Sequence, residues 1–287
     1  MTRPLRTLIG AAVSTLMIAL ATVPALAITG GEPDGEGHPN VAMILFYDAT
    51  GRYRCTATLA SPTVLITAAH CTDGTVGKTA VTFDPVISEA GPFPIPAAAD
   101  PTVGYTAAEL SKLGLLSGTA YAHPKYSDFT DMDHWNDVGV IVLDAPVRGI
   151  EPADLAPLHY LDSFMPPKLR KTLFTTVGYG TEVRKLNGTT GKPVPMSYPL
   201  IRRVTEEVGQ KLTPQILQMN GNEHDNAGGG GTCFGDSGGP AFKQGYIVAD
   251  TSYGYTNNCR YLGGYQRLDI PVVQNWLAKF GVEPANQ

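Results

Sequence analysis

Apolar positions along this chain come in short runs rather than long stripes. Residues 41–47, 63–67, 138–143, 172–177, 246–249 and 264–268 are dominated by Val, Ile, Leu, Phe, Tyr, Thr and small residues, with glycine and proline punctuating the intervals. Runs of this length and composition predict an all-β barrel or sandwich. Two intervals read as surface loops: 92–101, and the stretch after Gly180 that carries Gly188, Gly191, Pro193 and Pro195. The glycine run at 226–231 reads as a flexible linker. A helical period stands out at the C-terminus, where Val272, Val273, Trp276, Leu277 and Phe280 share a face. Asp269 is its expected N-cap, Pro271 suits its first turn and Gly281 ends it.

The first residues follow another pattern. Arg3 and Arg6 precede an apolar run over 8–27, which closes on Ala25, Leu26 and Ala27. This is the layout of a secretory signal peptide spanning 1–27, so the mature protein is expected to be secreted. No second stretch of about 20 apolar residues follows, so no membrane association is expected after signal removal.

Composition narrows the reading. With 287 residues, 43% of them hydrophobic, the chain can bury one large core or two small ones. Its net charge of −5 becomes −7 once 1–27, with two arginines and no acid, is removed. That balance does not suggest a nucleic-acid partner. Four cysteines in an exported chain imply two disulfides; three pairings are open, and Cys55 with Cys71 and Cys233 with Cys259 are the economical local ones. Neither couple has metal-type spacing and no acids are spaced as a calcium loop, so neither metal nor cofactor is expected.

The segment 232–240, "TCFGDSGGP", sets a serine among glycines directly after an acid. It satisfies the G-x-S-x-G elbow of α/β-hydrolases, but that fold supplies its histidine after the serine. Here His38, His70, His123, His134, His159 and His224 all precede Ser237. Two other segments hold what a serine nucleophile needs. "TAAHC" at 67–71 places His70 at the end of a β-rich run, and "NDVGVIVL" at 136–143 places Asp137 at the mouth of an apolar strand. His123 and His134 read as noncatalytic, and the acceptor motif at 187–189 as a plain loop.

Taken with "ITGG" at 28–31, "GYG" at 178–180, "GDSGGP" at 235–240, "SYG" at 252–254 and "GGYQRL" at 263–268, the order His, Asp, Ser resembles the chymotrypsin/trypsin family of secreted serine peptidases. The lean cysteine set points to a bacterial member. The resemblance implies two antiparallel six-stranded Greek-key β-barrels with a C-terminal helix: a first barrel over 28–145, a connector over 146–168, and a second barrel with the helix over 169–287. It implies a triad of His70, Asp137 and Ser237, with the N–H groups of Gly235 and Ser237 as the oxyanion hole. Cys55–Cys71 would staple the histidine loop and Cys233–Cys259 would join two pocket walls. The ammonium of a new terminus at Ile28 would pair with Asp236.

Gly231, six residues before the serine, matches the pocket floor, and Gly254 and Gly263 match its walls. A neutral, large or aromatic residue before the scissile bond is therefore expected. Ser252–Gly254 would offer an edge along which a peptide lies as an added strand. The expected function is a monomeric endopeptidase acting on protein or peptide. A secreted, inactive relative that binds partners through the same cleft is the rival.

Overall fold

The computed structural model describes residues 28–181, 200–222 and 228–285; the signal segment and the 187–189 motif lie outside them. Two closed barrels of six antiparallel strands account for most of the chain. The first comprises β1 (Val41–Tyr47), β2 (Arg52–Ser61), β3 (Val64–Thr67), β4 (Val76–Thr82), β5 (Leu116–Ala122) and β6 (Gly139–Leu143). It closes in the order β1-β2-β3-β6-β5-β4. The second comprises β7 (Leu173–Gly178), β8 (Arg203–Leu212), β9 (Ile216–Asn220), β10 (Pro240–Lys243), β11 (Tyr246–Gly254) and β12 (Leu262–Arg267). Its order is β8-β7-β10-β11-β12-β9, with β9 returning to β8.

Strand β1 shows why its sequence reads as one continuous apolar run. Successive side chains point to opposite faces, and both faces are covered. Ala42, Ile44 and Phe46 join a cluster confined to the first barrel, with Ala57, Leu59, Leu65, Val81 and Ile141. Val41, Met43 and Leu45 join a second cluster that continues into the other barrel through Val177, Tyr179 and Phe242. A third, in the second barrel, gathers Phe174, Leu217, Met219, Ala241, Val248 and Tyr265.

The first residues of the described chain pack against the second barrel. Thr29 bridges Gly231, and Glu32 and Pro33 pair with Val204 and Arg203 of β8. The fully buried Arg202 reinforces the tie, donating to Asp34 Oδ2 (2.8 Å) and to the carbonyls of Val41 (3.1 Å) and Phe83 (3.0 Å).

Two helices flank the barrels. α1 (Ala107–Lys112) carries a capping box between Thr106 and Glu109. α2 (Pro271–Leu277) forms where the periodicity predicts, and Gly281 follows in the left-handed conformation. Its N-cap is Ile270, not Asp269. The Asp269 carboxylate instead accepts from the Leu161 N–H (2.7 Å) and forks with the Arg267 guanidinium (both 2.9 Å), a buried charge-assisted pair that outcompetes capping.

Candidate active site

His70, Asp137 and Ser237 each sit at a strand end facing the junction of the barrels. His70 lies in a short 3₁₀ turn, Ala69–Cys71, just after β3. Asp137 precedes β6, the strand paired with β3, with Thr67 opposite Gly139. Adjacent strand ends thus bring the two side chains together. His70 Nδ1 is 2.8 Å from Asp137 Oδ2, and the His70 backbone N–H donates to Oδ1 (2.9 Å). An ionised carboxylate only accepts, so opposite an ionised Asp137 it is Nδ1 that donates. Asp137 is fully buried while the His70 side chain is 22% exposed, which leaves the imidazole open to the cleft.

Asp137 is also held by residues of the second barrel. Ser252 Oγ donates to Oδ2 (2.6 Å), the Trp135 indole donates to Ser252 Oγ (2.8 Å), and the Asp137 N–H donates to Gln266 Oε1 (3.0 Å). Ser252, singled out as an edge residue, therefore also orients the acid. Trp135 belongs to an aromatic wall unforeseen from sequence: Phe129 stands 5.5 Å from the His70 ring and 5.1 Å from Trp135, which stands 5.1 Å from Tyr253.

The serine turn is shaped by glycine. Gly235 and Gly238 adopt φ of +99° and +74°, where a side chain would be strained. A Cβ on Gly238 would also stand 2.0 Å from Thr67 Oγ1. The Phe234 carbonyl accepts from the Thr181 N–H (2.7 Å), so the Gly235 N–H, on the opposite side of a trans peptide, faces away from Thr181. Thr56 of β2 straps the turn at two points, its hydroxyl to the Gly235 carbonyl (2.9 Å) and its N–H to the Ser237 carbonyl (2.9 Å). No sequence signal marked Thr56. Among the described residues no hydrogen bond joins His70 Nε2 to Ser237, a contact that often tightens only with substrate bound.

Asp236 points away from this machinery. It is fully buried and accepts from the N–H groups of Gly180 (2.6 Å) and Cys233 (2.8 Å). Burial pushes its carboxyl up to about 7, against the pull of those two N–H groups and of the Arg54 and Arg203 guanidiniums. Ile28 is likewise fully buried.

Both local disulfides form, Cys55–Cys71 beside His70 and Cys233–Cys259 beside the serine turn. A recess of about 160 Å³ opens under Ser237, walled by Thr232, Cys233 and Phe234 on one side and by Ser252, Tyr253, Gly254 and Cys259 on the other. Gly254 also lines, with Gly263, a small adjoining cavity of about 10 Å³. Gly231 does not. It is buried beneath, donating its N–H to the Thr29 carbonyl (2.9 Å), and a Cβ there would stand 2.5 Å from Gly221 Cα.

Known proteins share this architecture. HL collagenase superposes with a TM-score of 0.60 over 88% of this chain and 98% of its own, at 17% identity. Neuropsin, a serine protease expressed in the limbic system of mouse brain, gives 0.57 over 88% and 100% at 19%. An inactivated protease paralogue of the scabies mite gives 0.58 over 90% and 100% at 15%. In sequence, a trypsin of Saccharopolyspora erythraea is 28% identical over 233 residues, covering 79% of this chain and 86% of that protein. The trypsin family pattern matches residues 28–277, and the chain belongs to the trypsin family.

Proposed function

We propose that this protein is a secreted serine endopeptidase working through His70, Asp137 and Ser237, without cofactor and as a monomer. The observation that carries the reading is the His70–Asp137 pair, joined at 2.8 Å, beside a serine at the lip of a walled recess. His70 Nε2 takes the Ser237 hydroxyl proton as Oγ attacks the peptide carbonyl, then returns it to the leaving amine. Asp137 fixes the imidazole tautomer and stabilises the imidazolium that forms. The N–H groups of Gly235 and Ser237 receive the developing oxyanion, each such donor being worth roughly 3 kcal/mol in the transition state. Water then releases the acyl group by the same proton path.

The segment at Ile28 supports an activation step. Release of residues 1–27 creates an ammonium at Ile28, already buried, and Asp236 is a buried carboxyl whose ordinary acidity burial suppresses. Pairing the two ionises Asp236 and sets the Gly235–Ser237 turn. A cut after Ala27 would export and activate in one event.

A fluorophosphonate probe tests the reading. The protein should be labelled on Ser237 and should hydrolyse peptides, while Ser237→Ala and His70→Ala stay folded and lose about 10⁶-fold in turnover. Wild-type protein starting at Ile28 that resists the probe and leaves peptides intact would instead be a binding module built on an inactive cleft.

A further inference from the structure

The segment that carries Trp135 to the acid is held in an unusual backbone shape. Asp128, Phe129 and Asn136 all have left-handed φ, at +48°, +59° and +47°. Aspartate and asparagine tolerate that region, but a bulky aromatic rarely enters it. Such a conformation persists only where the surroundings over-determine it, most often at functional sites. Here the surroundings are specific. Asn136 Nδ2 donates to the carbonyls of Lys125 and His134 (both 2.9 Å), and the Ser127 N–H donates to the Trp135 carbonyl (3.2 Å). The Phe129 ring packs edge-on against Tyr126 and Trp135.

What this folding delivers is one hydrogen bond that sets the direction of another. A serine hydroxyl carries a single proton and rotates to suit its neighbours, whereas an indole N–H can only donate. The Trp135 indole therefore occupies a lone pair of Ser252 Oγ, and the Ser252 proton is left for Asp137 Oδ2. All three side chains are buried, so little solvent competes for either bond. Oδ2 is also the oxygen that faces His70 Nδ1. The ring of Trp135, wedged between Phe129 and Tyr253, thus ends in a polar atom that reaches the triad through one intermediary.

We propose that Trp135 is a positioning residue for the triad: its indole N–H locks the Ser252 hydroxyl onto Asp137. The effect on turnover rests on the peptidase reading; the direction of the hydroxyl does not. That donation does two things at Asp137. It fixes the rotation of the carboxylate, so that Oδ2 stays aimed at Nδ1, and it takes up part of the charge that Oδ2 presents to the imidazolium. Freed from the indole, the Ser252 hydroxyl rotates away for part of the time and the carboxylate turns with less restraint. Oδ2 then holds the imidazolium more tightly, and to higher pH. Tyr126 and the buried Asp250, the other titratable groups that feel the charge of Asp137, stay the same when the indole alone is changed.

Trp135→Phe keeps an aromatic ring in place and removes the N–H. In a peptidase assay it should lose about 10-fold in kcat, the scale of a hydrogen bond to a charged group, with KM little changed. The acid limb of kcat/KM should move toward higher pH. Ser252→Ala should show a similar loss, and adding Trp135→Phe to it should cost little more, because the partner is already gone. A second readout needs no turnover. The chain has two tryptophans, so protein labelled with ¹⁵N-tryptophan gives one indole N–H signal from Trp135 and one from Trp276. Ser252→Ala should move the first and leave the second in place, and this measurement decides the matter even if Trp135→Phe does not fold. A Trp135 signal unmoved by Ser252→Ala, or wild-type kcat and pH profile in Trp135→Phe, would overturn the proposal. So would an equal loss from Trp135→Phe with and without the Ser252 hydroxyl, the mark of packing alone. Wild-type protein that resists fluorophosphonate while the Trp135 signal still answers to Ser252 would uphold the link and sink the peptidase reading.

Discussion

The two barrels share a strand plan and differ in what they bury. Within the strands of the first, Arg54 is the buried charged side chain among the described residues, and the rest of the core is apolar or threonine. The second encloses Arg203, Glu207, Asp250 and Arg267 in its strands, with Asp236 in its serine turn and Asp269 beyond its last strand. Burying a charge costs stability unless it is paired, so the second barrel carries a larger burden than the first, which buries Arg54 and, at the mouth of β6, Asp137. Of its acids, Asp269 is matched by Arg267, whereas among the described residues one oxygen of Glu207 and both of Asp250 have no hydrogen-bond partner. The first barrel lends the candidate site His70 and Asp137; the second lends the serine turn and buries the larger share of charge.

The contrast breaks most readily at Asp236. In protein beginning at Ile28, Asp236→Asn should cut kcat/KM by at least about 100-fold, since a buried pair that loses one partner costs about 3–5 kcal/mol. In protein with one extra N-terminal residue, activity should already be low and the same substitution should change it little. Equal kinetics of the two N-terminal forms would refute the activation step.

Next in size is trimming of the first barrel. Leu45, 2% exposed, lies in the cluster shared by both barrels, and Leu45→Ala should lower unfolding free energy by about 2–5 kcal/mol in urea. Turnover per folded molecule should stay close to wild type. A large loss of turnover would show that the scaffold and the site are not separable.

A smaller effect should appear with pH. Glu207 is raised to about 7 in the folded chain, against about 4.3 when unfolded. Between those values the folded state holds a proton that the unfolded state has released, so stability falls as pH rises through that window. Glu207→Gln should flatten the fall between about pH 5 and 7, by at most roughly 1.4 kcal/mol per pH unit. Asp236 and Asp250 shift in the same direction and contribute to the slope that remains. Urea midpoints at the two pH values measure both. The smallest change is expected from Thr56→Val, which removes the strap on the Gly235 carbonyl. A hydrogen bond of about 1 kcal/mol corresponds to a several-fold loss in kcat, with KM little changed if Thr56 positions the oxyanion donors.

The catalytic candidates were legible because each announces itself over a few neighbours: a histidine beside a cysteine, an aspartate at a strand mouth, a serine among glycines. The C-terminal helix was legible by its period. What stayed hidden depends on which strands meet. Glu207 follows another glutamate in a strand that reads as polar; only the β7–β8 register, with Phe174 opposite Glu207, turns it inward. Thr56 looks like any β-strand threonine until Gly235 and Ser237 are folded against it. Gly231 misled because spacing from the serine fixes a place along the chain, not what packs beside it. Asp269 misled because a cap is a local preference and Arg267 a stronger partner.

The bridge from Thr29 to Gly231 and the pairing of Glu32 and Pro33 with β8 also set an order of events. Thr29, Glu32 and Pro33 find their partners about 170 to 200 residues later in the chain. Contacts so distant in sequence close late. A chain emerging from its N-terminus can therefore form its first barrel early, but the serine turn, the recess and the docked terminus must wait for the last third of the polypeptide. Assembly itself becomes a timer: the candidate site is complete only when synthesis is nearly so.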